Sequence, residues 1–290
     1  MKKLRQISVI GMGLLGSSVT LAVLRSFSSI RTVGYSHRAS TRKKARDLGV
    51  AEKIAEDLLS CVRDSDLVII ATPICTFEDI FEQIAPDLKD GCVVTDVGST
   101  KKLAHQWARK RLGKTVHYVG SHPIAGSEKR GVEFARDDLF FGAKCIVTKD
   151  KNTNAAAVRC VKEFWSSLGC SVSVMNPAEH DKVFADVSHV PHAMAAALVN
   201  ATDSKQINFA GKGFVDTSRI ASGPANVWAD IFMTNSANTA FGIEKVISQL
   251  RKLQSAIKQE NYQKTLKLLE DARSKREKLI KYKMKKNELI

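Results

Sequence analysis

The chain of 290 residues has no apolar run approaching the roughly 18 residues of a membrane-spanning helix. It also lacks any Cys-x-x-Cys pair. Its six cysteines, at 61, 75, 92, 145, 160 and 170, stand singly. That spacing argues against a zinc site or a disulfide framework, and for reduced thiols in the cytosol. His180 and Asp181 are adjacent candidate ligands, but no third ligand lies at a useful spacing, so no metal is expected. Internal repeats and low-complexity linkers are missing. The start, Met-Lys-Lys-Leu-Arg, runs straight into a strand pattern and leaves no room for a signal peptide. Acidic residues are absent from residues 1–46, which hold ten Lys/Arg. Residues 251–290 hold thirteen Lys/Arg against five acids, and the whole chain carries +15. Such charge raises nucleic-acid binding as a possibility. No aromatic interleaving or recognition motif supports it, and a solvated Lys-rich helix accounts for the tail.

What is present begins with a glycine loop. The strand pattern Ile7–Ile10 leads into Gly11-Met-Gly13-Leu14-Leu15-Gly16, and a helical pattern follows from Ser17. Glycines at this spacing allow a sharp turn, close approach of a pyrophosphate, and packing of helix on strand. The helix N-terminus then faces the phosphates with its positive end. A dinucleotide site is therefore expected at Gly11, Gly13, Leu14, Leu15 and Gly16, with Thr72 and Pro73 closing it after a later strand. About 20 residues on, an NAD site places a carboxylate against the ribose 2′-hydroxyl. Here the residues are Ser36, His37 and Arg38. With no competing carboxylate, and with Arg38 able to fork onto a 2′-phosphate, NADP is expected over NAD, NAD remaining possible.

Strand and helix patterns alternate through residue 175. Ser40 is placed to cap a helix over 41–48, ended by Gly49. Strands are expected at 66–71, 92–97, 117–120, 144–148 and 171–175, with helices near 76–86, 101–111 and 153–168. This alternation predicts an α/β fold, a Rossmann-type doubly wound parallel sheet. From Asn176-Pro177 onward only helical patterns recur, over 178–202, 224–258 and 260–285. The reading is a dinucleotide-binding domain over residues 1–175 and an all-helical domain over 176–290, providing substrate contacts and a dimer surface.

Three segments sit where strands end or helices begin: Asp96-Val-Gly-Ser99-Thr-Lys101, Ser121-His122-Pro-Ile-Ala-Gly126-Ser-Glu128, and Ser188-His189-Val-Pro-His192. A fourth, Gly213-Phe-Val-Asp216-Thr-Ser-Arg219-Ile-Ala, lies in the helical half. Together with the glycine loop they resemble the prephenate/arogenate (cyclohexadienyl) dehydrogenases of tyrosine biosynthesis, over nearly the whole chain. The resemblance implies a cytoplasmic homodimer that oxidises prephenate or arogenate with NAD or NADP, releasing carbon dioxide as the ring becomes aromatic. It implies His122 as the catalytic base and Ser99 as the residue that orients it. Arg219 and His189 match substrate-binding residues, suited to a dicarboxylate. Glu128 matches an acid of the network that gates the site. Trp228 matches a tryptophan that reaches toward the partner subunit.

Residue chemistry agrees: removing a carbinol proton suits histidine, which titrates near working pH. Other readings fit single residues. His122 or His189 could be core histidines, Ser99 a helix N-cap, Arg219 a surface ion pair, and Trp228 ordinary core. Two rival functions remain open. One is a 3-hydroxyacid-type NADP dehydrogenase, which would rely on a lysine in the helical half. The other is a non-catalytic NADP sensor, which has no use for Ser99, His122 and Arg219 together.

Overall fold

A computed structural model describes residues 4–125 and 129–285. The Gln6–Ile10 strand (β1) is buried throughout and runs into helix α1, Leu14–Ser26. Then come β2 (Arg31–Tyr35), α2 (Ala39–Asp47), β3 (Lys53–Ile54), α3 (Leu58–Val62) and β4 (Leu67–Ile70). They are followed by α4 (Phe77–Ile84), β5 (Val93–Asp96), α5 (Lys102–Arg111) and β6 (His117–Tyr118). These six strands form one parallel sheet in the order β3-β2-β1-β4-β5-β6. Its central strands are apolar on both faces, as helices covering each side require; Leu67, Val68, Ile69 and Ile70 are all fully buried. The order reverses between β1 and β4, the switch point at which such sheets bind ligands.

The expected single sheet is instead two. The reading of one strand over 117–120 merges β6 with a distinct strand, β7 (Gly120–Ile124). β7 leaves the first sheet and pairs antiparallel with β8 (Lys144–Thr148), which pairs in parallel with β9 (Ser171–Met175). The break falls at Val119, whose N–H still bonds Val94 O of β5 (2.9 Å) while the next residue pairs with Thr148. Between β8 and β9 lies α6 (Ala155–Ser167), capped by the Asn154 side chain. Ser40 does not cap α2: it lies inside that helix, which begins one residue after Arg38. The Arg42 guanidinium donates to the carbonyls of Ser36 (2.8 Å) and His37 (3.1 Å), drawing the helix start up to the strand end. Gly49 does end it, at φ +60°.

The helices that follow are α7 (Pro177–Phe184), a π-helical turn over Ala185–His189, α8 (Val190–Asn200), α9 (Ser204–Ile207), α10 (Lys212–Ser218), α11 (Ala225–Thr234), α12 (Ser236–Lys258) and α13 (Tyr262–Lys285). The chain forms two compact units, one ending at Thr239 and one beginning at Ala240. In the second, α12 ends in a turn that places Glu260 at φ +49°, and its apolar residues Ile247, Leu250, Leu253 and Ile257 line one groove. Among the described residues no helix is long and apolar enough to cross a membrane.

Candidate active site

The glycine loop is shaped as a cradle. Gly11 sits at φ +105°, and a Cβ there would lie 2.6 Å from the Ala71 carbonyl carbon. A Cβ on Gly16 would lie 1.9 Å from Gly11 O, so α1 can pack this closely only on glycine. Gly13 faces open space, where a pyrophosphate could approach, and caps α1 without a side-chain bond. The helix N–H groups thus stay available. The segment Thr72-Pro73 runs against Gly11, and Leu14 and Leu15 open α1. At the end of β2 Ser36 is buried, while His37 and Arg38 are exposed. The residues present fit a dinucleotide.

At the carboxyl end of β5, Asp96 and Lys101 form an ion pair and both are fully buried. Asp96 Oδ1 also accepts from Gly98 N (2.7 Å), and Oδ2 from Tyr118 OH (2.5 Å). Lys101 Nζ donates to Ser121 O (2.8 Å), which ties β7 to this knot beside His122. Gly120 belongs here too: a Cβ would lie 2.5 Å from Thr148 Oγ1.

His122, on β7, turns its Nδ1 to His180 Nε2 at 2.9 Å. His180 Nδ1 in turn meets Asp181 Oδ1 at 2.9 Å. Phe184 covers both rings, stacked on His180 with centroids 4.4 Å apart and tilted 4.7 Å from His122. Burial, and then the positive potential of His180, Lys101 and His189, hold the His122 pKa well below the ordinary histidine value. His189 is 1% exposed, and burial lowers it to about 4. Its Nδ1 faces Asn235 Nδ2 at 3.1 Å, and that amide also donates to Asp181 O (2.7 Å). Nδ1 therefore accepts, and His189 carries its proton on Nε2. This buried Nε2 has no partner among the described residues. His192 stacks on Trp228, centroids 3.6 Å apart, over Gly223, where a Cβ would lie 2.4 Å from Trp228 Nε1.

Residues 19–174 match the prephenate dehydrogenase nucleotide-binding domain, and residues 176–271 match the prephenate dehydrogenase dimerization domain. The chain is 32% identical to prephenate dehydrogenase of Bacillus subtilis over 92% of its own length and 74% of that protein's. The chain belongs to the prephenate/arogenate dehydrogenase family. The structure of the Aquifex aeolicus prephenate dehydrogenase with hydroxyphenyl propionate and NAD+ superposes with a TM-score of 0.89 at 32% identity, covering 96% of this chain and 99% of that one. The Synechocystis arogenate dehydrogenase gives a TM-score of 0.81 at 26% identity, covering 94% and 99%.

For a member of this family, the sequence-read residues gather unevenly. His122 and His189 lie near one another, together with His180 and Asp181, which the sequence offered only as an incomplete metal pair. Ser99 is partly exposed, and its hydroxyl makes no hydrogen bond among the described residues. It does not cap α5, and no hydrogen bond joins it to His122 among the described residues. The Asp181 carboxylate takes the N–H groups of Lys101 (2.8 Å) and Lys102 (2.9 Å) at that helix start, and His180 holds the imidazole. Arg219 is exposed, opening the turn Arg219–Ser222 that packs on α8. Trp228 packs within its own chain, on His192 and Phe232. Glu128 lies outside the described residues. Asn235 and His192 were not read as site residues. The signal for His192 was present in Ser188-His189-Val-Pro-His192, three residues from the histidine chosen.

Proposed function

We propose that this chain oxidises prephenate, arogenate or both, with loss of carbon dioxide and formation of an aromatic ring. The observation that carries the reading is His122, a histidine kept neutral by its surroundings, with Nδ1 engaged by His180 and Nε2 without a hydrogen bond among the described residues. A neutral imidazole accepts the proton of the ring hydroxyl at Nε2 as the carbon–hydrogen bond breaks. The bound nicotinamide supplies the hydride acceptor. The glycine cradle would hold the pyrophosphate that carries it. Cleavage of the ring carboxylate then returns an electron pair to the ring, and aromatisation makes the step downhill.

Recognition of the substrate rests on groups suited to carboxylates. Arg219 is assigned one carboxylate, through its planar fork. His189 presents its Nε2–H to the side-chain end. Ser99, whose hydroxyl has no hydrogen bond among the described residues, is assigned to the reacting end. Glu128 is assigned to gating, and Trp228 to the edge of the pocket. We keep residues 1–175 as the dinucleotide-binding domain and 176–290 as the helical one. Formation of NAD(P)H from prephenate and from arogenate by the purified chain tests the reading; no turnover of either substrate overturns it.

We further propose that NADP is the better cofactor. Support comes from the missing carboxylate at the end of β2 and from Arg38, whose side chain has no ion pair or hydrogen bond among the described residues. Arg42, by contrast, is occupied with two carbonyls. Arg38→Ala should weaken NADP by roughly 1.5–3 kcal/mol in kcat/KM and leave NAD nearly unchanged. Equal losses for both would remove Arg38 from 2′-phosphate recognition.

The assembly we propose is a homodimer. The second unit leaves Leu250, Ile257 and Leu269 half or more exposed, an apolar face for two-fold pairing. Light scattering should give twice the chain mass of 31.9 kDa at micromolar concentration, and a monomer would refute this. All six cysteines are free thiols, as the reducing cytosol proposed for this enzyme would keep them.

A further inference from the structure

His122 poses a chemical difficulty. A base whose surroundings disfavour its charged form takes a proton reluctantly, and the imidazolium formed in the reaction must be stabilised somewhere. The residues behind it answer this. Asp181 Oδ2 accepts from Lys102 N (2.9 Å), and Oδ1 accepts from Lys101 N (2.8 Å) as well as meeting His180 Nδ1 (2.9 Å). A carboxylate holding backbone donors on both oxygens is an acceptor toward histidine, so His180 donates through Nδ1. Its Nε2 is then a lone pair. The 2.9 Å contact with His122 Nδ1 needs a proton between the two nitrogens, and only His122 can supply it. His122 is thus fixed as the Nδ1–H tautomer with Nε2 bare, the form a general base requires. Phe184 packs against both rings and keeps them from turning.

From this geometry we infer that His180 and Asp181 form a proton relay behind His122, setting its tautomer and taking up the charge that develops there. When the substrate proton arrives at His122 Nε2, the Nδ1 proton moves to His180 Nε2. His180 then carries the positive charge, hydrogen-bonded to the Asp181 carboxylate. The reverse shift restores His122 when the proton leaves. Both are positioning residues, and neither needs to touch substrate. The groups facing the relay are Lys101 and Asp96 at the β5–α5 junction, His189 on the π turn, and Asp181 itself. A packing role alone does not account for His180, because its two nitrogens are both directed along one line of polar atoms, from carboxylate to base.

The inference rests on the dehydrogenase reading, and two measurements keep the two apart. The first needs no turnover. Ring 15N shifts of the histidines, recorded in the full chain at neutral pH, should show His122 protonated at Nδ1 and bare at Nε2. The opposite tautomer overturns the relay whether or not the chain oxidises prephenate. The second is the pH dependence of kcat. His180→Gln keeps an acceptor for His122 and a donor for Asp181, so orientation survives while proton transfer does not. Its kcat should fall at least tenfold, with KM for the dinucleotide unchanged, and its acid limb should move to lower pH. Asp181→Asn should move the limb in the same direction, because the carboxylate that favours the charged pair is gone. Should Asp181→Asn fail to fold through loss of the α5 cap, His180→Gln decides alone. If folded His180→Gln keeps kcat within about twofold and its acid limb unmoved, the relay is wrong. If the wild-type chain turns over neither prephenate nor arogenate, the dehydrogenase reading fails, and the tautomer measurement still judges the relay.

Discussion

His122→Asn should lower kcat by about 10²–10⁴, the usual contribution of a general base. Asn keeps a polar group within reach of His180, so the pocket retains its shape. What it loses is a nitrogen that can hold a proton. KM for the dinucleotide should change little, because the glycine cradle is untouched. The pH profile makes the assignment sharper. Since burial holds the His122 pKa well below the ordinary value, the base stays neutral, and competent, as pH falls through the range where free histidine titrates. The wild-type kcat/KM should therefore remain flat across that range and decline only below it. His122→Asn should lack this limb altogether. A folded variant that binds dinucleotide and keeps kcat within a few-fold would remove His122 from the chemistry.

Asp96→Asn should destabilise the fold by about 3–5 kcal/mol, the cost of leaving a buried charge without its partner. Lys101 is fully buried, and its remaining partner is the Ser121 carbonyl at 2.8 Å. Asp96 also organises Tyr118 OH (2.5 Å), Gly98 N (2.7 Å) and Ser121 N (3.3 Å), so the loss spreads to three strand ends. Ser121 Oγ is held as well by Trp165 Nε1 (2.9 Å), which limits collapse of β7. Adding Lys101→Met to Asp96→Asn should recover part of the stability, since removing both charges leaves no unpaired ion. Urea unfolding of the two variants measures this. A loss of about 0.5 kcal/mol or less, typical of a surface change, would mean that the pair contributes no more than exposed charges do.

How far these residues were legible in the sequence depends on how local their signals are. The glycine loop is contiguous, and its chemistry is backbone chemistry, so it reads directly. β8 and β9 were legible to the residue, because β8 is a short β-branched run and β9 alternates Ser with Val, each flanked by charged or turn residues that end the pattern. The division into two sheets was not legible. It depends on one residue, Val119, finishing one strand while its neighbour begins another, and no composition change marks the spot. The cap of α5 was not legible for a related reason: Ser99 has the right chemistry for a cap, but a carboxylate about 80 residues later in the chain takes the N–H groups at that helix start. His180 shows the same limit. Next to Asp181 it looked like an incomplete metal pair, because its true partner is 58 residues upstream on β7. The short helices α9 and α10 carry no buried residue, so no apolar periodicity announces them.

Residues 178–202 were read as one continuous helix, and the π turn at Ala185–His189 is the departure from it. In a straight helix nine residues turn through about 900°, which places His180 and His189 on opposite faces. Each residue of the wider π turn advances less, and His189 comes round toward the His180 side. The turn thus acts as a stored insertion. Deleting one residue from Ala185–His189 would let the turn close to α-helical pitch, and the roughly 100° removed with the residue is the angle the wider turn had already given up, so His189 and His192 would face as before. The tolerance is one-sided: the stretch between His180 and His192 can give up one residue by closing this turn, whereas a residue added to its straight part has no such slack to draw on and would carry His189 and His192 round by about 100° together.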